Sequence, residues 1–290
     1  SILVSNFFGF SVVIINLLFF LIPGFVFVLS DSLDPKKTFS FPFGSSVPSV
    51  SSKTSGLNPY QWTFLAIILT TCYFILNTLI SYWNADISYA TGSNLDKAGS
   101  YQDALKPLQE AVNAKPQEPV YKDELSIDLA TIAAALLLEK DPTQAAKFST
   151  TAIHLSDQVT QSHPNNIVFW KNRVRLFYTL AQGDKTHEKS YLRLALKSIE
   201  NAKALAPTDA KISYNLGILK GQIEGPKKGI EVLEDTVRLK PDYRDAYFAL
   251  GLFYREANEN QKAITTYQYI LKNIDPHDQE VQKSLKSWEK

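Results

Sequence analysis

Residues 210–241 read AKISYNLGILKGQIEGPKKGIEVLEDTVRLKP, and residues 244–276 read RDAYFALGLFYREANENQKAITTYQYILKNIDP. Gly217 and Gly251 stand 34 positions apart, Gly229 and Ala263 stand 34 apart, and Pro207 and Pro241 repeat the interval. Three registers with one stride, on segments whose apolar residues recur at helical spacing, mark paired helices stacked as repeats. A small residue on the first helix lets the second approach at Gly229 or Ala263, and each Pro stops a second helix. The signature recurs upstream: Ala104 follows Gly92 by twelve residues, Ala111 follows by seven more and Pro116 by five, and Ala195, Ala202 and Pro207 keep the seven and the five. Gly99-Ser100-Tyr101 and Gly225-Pro226 mark turns between paired helices.

The stride and the Leu250-Gly251-x-x-Tyr254 pattern resemble the tetratricopeptide repeat, a helix-turn-helix unit of 34 residues. Gly92 and Gly217 are 125 residues apart, 23 more than three periods, so two middle units must be longer than standard. The expected units are 85–118, 119–164, 165–209, 210–243 and 244–277, with a polar closing helix over 278–290. In the longer units, the apolar run Leu125 to Leu138 is read as one first helix, and Tyr191 to Leu205 as a second helix.

Outward from the repeats the composition changes. Residues 1–84 carry only five charged side chains, Asp31, Asp34, Lys36, Lys37 and Lys53, against 54 in the 206 residues that follow. The first part reads as membrane and the second as a water-exposed domain. Residues 2–29 carry no ionisable side chain, and 60–83 form an uncharged run framed by Tyr60 and Trp62 at one end and Tyr82 and Trp83 at the other. About 20 apolar residues at 1.5 Å each cross a hydrocarbon core of ~30 Å, and rings at both ends match its two interfaces. Both runs are therefore expected to span. Residues 30–59, rich in Ser, Pro and Phe, form the loop between them, and its three Lys place it in the cytoplasm and the repeats outside. The expected fold class is all-α: two transmembrane helices, then an α-solenoid of antiparallel helix pairs with a C-terminal capping helix. The absence of Met leads us to expect the C-terminal portion of a longer protein, or a processed product.

The balanced charge, 30 basic against 29 acidic residues, excludes a strongly basic nucleic-acid footprint. Cys72 is the single cysteine, so no intrachain disulfide can form. His154, His163, His187 and His277 have no partner at metal spacing and read as solvated, so no catalytic, metal or cofactor site is expected. Asp123, Glu124 and Asp128 read as the charged face of an exposed helix, the alternative being a functional carboxylate group. In the cluster Lys171, Arg173 and Arg175, Trp170, Val174 and Phe177 take the core face, which leaves the cations towards solvent.

A repeat stack presents a groove lined by the first helix of each unit, which suits a protein or peptide partner. In the repeat register, groove positions include Asp86, Tyr89, Ser93, Tyr214, Ile218, Asp245, Phe248, Leu252 and Arg255. The competing reading has Tyr89, Tyr214 and Phe248 packing between neighbouring helices. Some repeats of this family grip a C-terminal carboxylate with Lys and Asn, whereas the matching places here hold Tyr, Phe, Ser, Ile and Leu.

Ser5-Asn6-Phe7-Phe8-Gly9-Phe10-Ser11-Val12-Val13, Ala85-Asp86 entering the repeats, Glu118-Pro119-Val120-Tyr121 and Glu124-Leu125-Ser126 resemble the C-terminal part of bacterial O-antigen ligase-like membrane proteins. The resemblance implies an integral protein of the bacterial inner membrane, with its repeats outside the cytoplasm, in surface-polysaccharide assembly. It also implies that any glycan is handled by an upstream glycosyltransferase part, whose functional Arg and His are not in this chain. The alternative is a free-standing membrane-anchored adaptor of an envelope complex.

Overall fold

The computed structural model describes residues 59–139 and 141–287. The expected span 2–29 and nearly all of the loop 30–59 lie outside the described residues; Pro59, expected as the last loop residue, opens a helix. The described residues form eleven helices and no strand: α1 Pro59–Lys97, α2 Tyr101–Ala114, α3 Pro119–Leu138, α4 Pro142–Ser162, α5 Ile167–Gly183, α6 Glu188–Leu205, α7 Ala210–Glu224, α8 Pro226–Leu239, α9 Arg244–Glu256, α10 Asn260–Asn273 and α11 Gln279–Lys286. The chain divides into two compact units at Tyr73/Phe74, inside α1.

Within residues 59–73 the helix is mostly apolar, and its described side chains are exposed. From Trp62 onward α1 is long and apolar enough to cross a membrane by length and composition, the one such helix among the described residues. It runs without a break past residues 84 and 85, because no Gly or Pro between Trp83 and Asp86 interrupts the 39-residue helix.

The second unit, from Phe74, is a stack of antiparallel helix pairs. Glycines set the closeness of three of the pairs, α1 with α2, α7 with α8 and α9 with α10. A Cβ on Gly92 would lie 2.6 Å from Leu108 Cγ, one on Gly217 2.8 Å from Leu233 Cγ, and one on Gly251 2.3 Å from Tyr267 Cε1. In all three the covering residue follows the glycine by 16 positions, so the side chain seated on the glycine comes one helical turn after Ala104, Gly229 and Ala263. Gly225, at φ 104°, turns α7 into α8.

The two longer pairs have longer helices: α3 and α4 run 20 and 21 residues and α5 and α6 run 17 and 18, against 13 to 15 for α7 to α10. Asp141, Asn166, Asp209 and Asp278 start α4, α5, α7 and α11 by accepting hydrogen bonds from first-turn amides. A continuous core that includes Leu108, Leu129, Leu176, Phe177, Leu180 and Ile199 runs through the first pairs, and Phe253 and Tyr254 belong to a second cluster further along.

Candidate functional site

The first helices α5 and α7 enclose a cavity of about 380 Å³ lined by Lys171, Val174, Arg175, Tyr178, Thr179, Tyr214, Asn215, Ile218 and Leu219. Lys171, Val174, Arg175 and Tyr178 recur at i, i+3, i+4 and i+7, so α5 presents them on one stripe. On α7, Tyr214 and Ile218, and beside them Asn215 and Leu219, stand four positions apart and so share one face of the helix. Lys171 and Arg175 are exposed, and neither forms an ion pair or hydrogen bond among the described residues. The Lys171 ammonium and the Arg175 guanidinium therefore stand beside Val174, Ile218 and Leu219, flanked by Tyr178 and Tyr214, with the Asp96 carboxyl near enough to feel the Arg175 charge. Burial pushes the Tyr214 phenol up, the Asp245 carboxylate adds to this and Arg244 opposes it, so it remains a neutral hydrogen-bonding group.

Of the groove residues read from the sequence, Tyr214 and Ile218 are brought together here. Tyr89, Tyr214 and Phe248 are half-buried, and each ring meets another: Tyr89 with Tyr121 at 5.1 Å, Tyr214 with Tyr243 at 5.4 Å, and Phe248 with Tyr267 at 5.4 Å between centroids. For Phe248 this is packing between helices, since Tyr267 is fully buried and the Arg244 guanidinium covers the ring at 4.6 Å. Leu252 and Arg255 are exposed on α9, apart from the cavity. Asp86 accepts a hydrogen bond from the Tyr121 hydroxyl, which ties α1 to α3, and Ser93 donates to Glu124 Oε1 at 3.3 Å.

Two expectations about charge are corrected. Arg173 does not face solvent: its Nη2 donates to Asp157 Oδ1 of α4 at 2.5 Å, its Nη1 to Ser156 Oγ at 3.1 Å, and its guanidinium lies over Phe177. Its partner sits on another helix and is invisible to spacing within α5. Asp123 and Asp128 are buried rather than on a charged exposed face, because α3 packs against α2, α4 and α5 and has little free surface. Burial pushes the Asp123 carboxyl up to about 7, with Glu124 adding to this and the 2.5 Å hydrogen bond from Asn172 Nδ2 opposing it. All four His are exposed, and no group of three His, Cys, Asp or Glu among the described residues could hold a metal ion.

Comparisons with known proteins agree with this architecture. A tetratricopeptide repeat family model matches residues 214–278. No curated protein sequence matches the chain. Among solved structures, MamA residues 41 to the end from Desulfovibrio magneticus RS-1 superposes with a TM-score of 0.51 at 21% identity, covering 69% of this chain and 96% of that one. A tetratricopeptide repeat protein from Parabacteroides merdae gives 0.52 at 14% identity, covering 69% and 70%. These likenesses concern the fold. Residues 214–278 match the tetratricopeptide repeat, and the described residues from Phe74 onward share the fold of an all-α solenoid of helix pairs.

Proposed function

We propose that the face built by the first helices holds an extended segment of a partner protein, and that the cavity between α5 and α7 anchors it by an acidic group beside an apolar side chain. The observation that carries this is the pair of exposed cations, Lys171 and Arg175, neither held in an ion pair or hydrogen bond among the described residues, beside an apolar and aromatic cavity. A carboxylate beside both charges gains charge-assisted hydrogen bonds, while its neighbour covers Val174 and Ile218. Asn215 offers an amide to the partner's backbone. Phe248 contributes rigidity, and Tyr89, Leu252 and Arg255 extend the face on either side.

A photoreactive amino acid in place of Tyr178 tests this in the native membrane. The expected result is a discrete crosslinked partner that disappears in a Lys171→Glu/Arg175→Glu background. A crosslink indifferent to those charges, or the same crosslink from Lys197 on the outer helix α6, would contradict it.

We further propose that the domain is the outward-facing tail of an integral inner-membrane protein of bacterial surface-polysaccharide assembly, resembling the O-antigen ligases, with lipid contact through α1. The exposed apolar stretch of α1 leading directly into the repeats, the short motifs of residues 5–13 and 118–126, and the lysines of residues 30–59 support this reading. In it the repeats recruit a protein, and any glycan is handled by an upstream part. Attaching a thiol at Lys290 and labelling intact cells with an impermeant reagent tests the orientation: labelling is expected, and protection would reverse it.

A further inference from the structure

Asp128 lies in the middle of α3 with no exposure, and neither of its carboxyl oxygens has a hydrogen-bond partner among the described residues. Oδ1 of Asp96, in the last turn of α1, is likewise buried and without a donor. The two carboxyl groups face each other across the contact between the first helices of the first two repeats. Ionised carboxylates only accept hydrogen bonds, so two in contact leave both unsatisfied and repelling. A single proton makes one of them a donor and resolves both defects.

We propose that Asp96 and Asp128 share one proton, and that this O–H···O bond is a latch holding the end of α1 on α3, so that losing the proton frees the C-terminal turns of α1 from the second repeat. The surroundings fix which oxygen carries the hydrogen. The charged groups acting on the pair are Glu124, from α3, and Arg175, from α5. Glu124 disfavours ionisation of both acids, whereas Arg175 favours ionisation of Asp96, so Asp96 is the acceptor and Asp128 the donor. Burial first, then the Asp96 carboxyl and Glu124, push Asp128 up to about 8, which leaves the latch closed at neutral pH and opening in mildly alkaline solution. Nearby, the Asp123 carboxyl is engaged by Asn172, the Ser93 hydroxyl by Glu124, and the Tyr89 ring by Tyr121. The Tyr121 to Asp86 hydrogen bond, nearly three turns earlier on α1, contains no shared acid and keeps the start of the first repeat in place.

The test is hydrogen exchange by mass spectrometry on the whole chain in detergent, from about pH 6 to about pH 10, corrected for the intrinsic rise of exchange with pH. Residues 92–97 are expected to lose protection as pH passes about 8, by about tenfold per pH unit above the midpoint, while α8 and α9 stay protected. Asp128→Asn replaces the titratable donor with an amide and should hold protection constant over the range. Asp96→Asn serves as the second variant should the first fail to fold, and it should also abolish the midpoint. Protection in the wild type that does not change with pH, a midpoint that survives in either variant, or loss of protection in all helices together would each overturn the proposal.

Discussion

Gly183, the last residue of α5, packs on the backbone of α3, and Gly183→Ala is the most discriminating test of how the long repeats are assembled. An added Cβ would lie 2.6 Å from Ala134 Cα, 2.7 Å from its Cβ and 2.9 Å from its carbonyl oxygen. Ordinary contact begins at 3.4 Å, so α3 and α5 must separate by the difference, 0.8 Å. No rotamer change can absorb this, because the obstacle is backbone. Overpacking of this kind costs about 1 to 3 kcal/mol, and the upper half applies here. Against it stands the better helix propensity of Ala, at most about 1 kcal/mol at a helix end. The net expectation is a destabilisation of about 1 to 2 kcal/mol. Urea unfolding of the whole chain in detergent, followed by circular dichroism, measures it. Gly217→Ala is the control, since its obstacle is the Leu233 side chain, which can shift, and a smaller loss is expected. A Gly183→Ala protein as stable as the wild type would refute the close approach of α3 and α5.

Three further outcomes follow from particular contacts. Asp278 accepts from Glu280 N and Val281 N at 3.1 Å and from Arg244 Nε at 2.8 Å, so Asp278→Ala should cost about 1 to 2 kcal/mol and show as faster hydrogen exchange confined to α11. Arg244 holds the Asp278 carboxyl below the usual range, so this stabilisation is present above the unfolded value and lost as pH falls through the lower folded one, readable as fraying of α11 in acid. Asp123 and Asp128 have the opposite sign: their folded values, about 7 and about 8, lie above the unfolded value of 3.8. The native state then binds more protons than the unfolded chain, and stability should fall from about pH 4 to about pH 8, by up to about 1.4 kcal/mol per pH unit for each group. Thermal melts at pH 5 and pH 8.5 should show a lower midpoint at the higher pH, with the difference reduced in Asp128→Asn. Ala104 has no exposure and sits under Gly92, so Ala104→Leu should cost about 1 to 3 kcal/mol in the same unfolding assay.

The repeat stride was legible because it is imposed by close helix contact: only small residues fit where Gly92, Gly217 and Gly251 touch Leu108, Leu233 and Tyr267. The lengthened middle pairs were legible as an excess of residues between glycines, since extra helical turns displace the register without erasing it. The lining of the cavity proposed as the site was legible in part. Tyr214 and Ile218 line it as well as holding groove positions in the repeat register, and Lys171 and Arg175 are exposed as their side of α5 implies, but spacing within α5 alone does not show that its stripe meets α7. Asp123 and Asp128 were misplaced because charges four or five apart resemble an exposed face. The contrary signal was the apolar character all round α3 from Leu125 to Leu138, which leaves an acid at its centre little chance of water. Arg173 could not be placed because Asp157 lies on a different helix.

The most direct test of the central claim is selection of random peptides displayed on phage against the whole chain in detergent, run in parallel on the Lys171→Glu/Arg175→Glu protein. Peptides enriched on the wild type should share an acidic residue or terminal carboxylate beside an aromatic or aliphatic one, and should lose binding to the charge-reversed protein by tenfold or more, which is about 1.4 kcal/mol. Enriched peptides without an acidic group, or ones that bind both proteins equally, would contradict the assignment of the cavity between α5 and α7 as the partner's anchor.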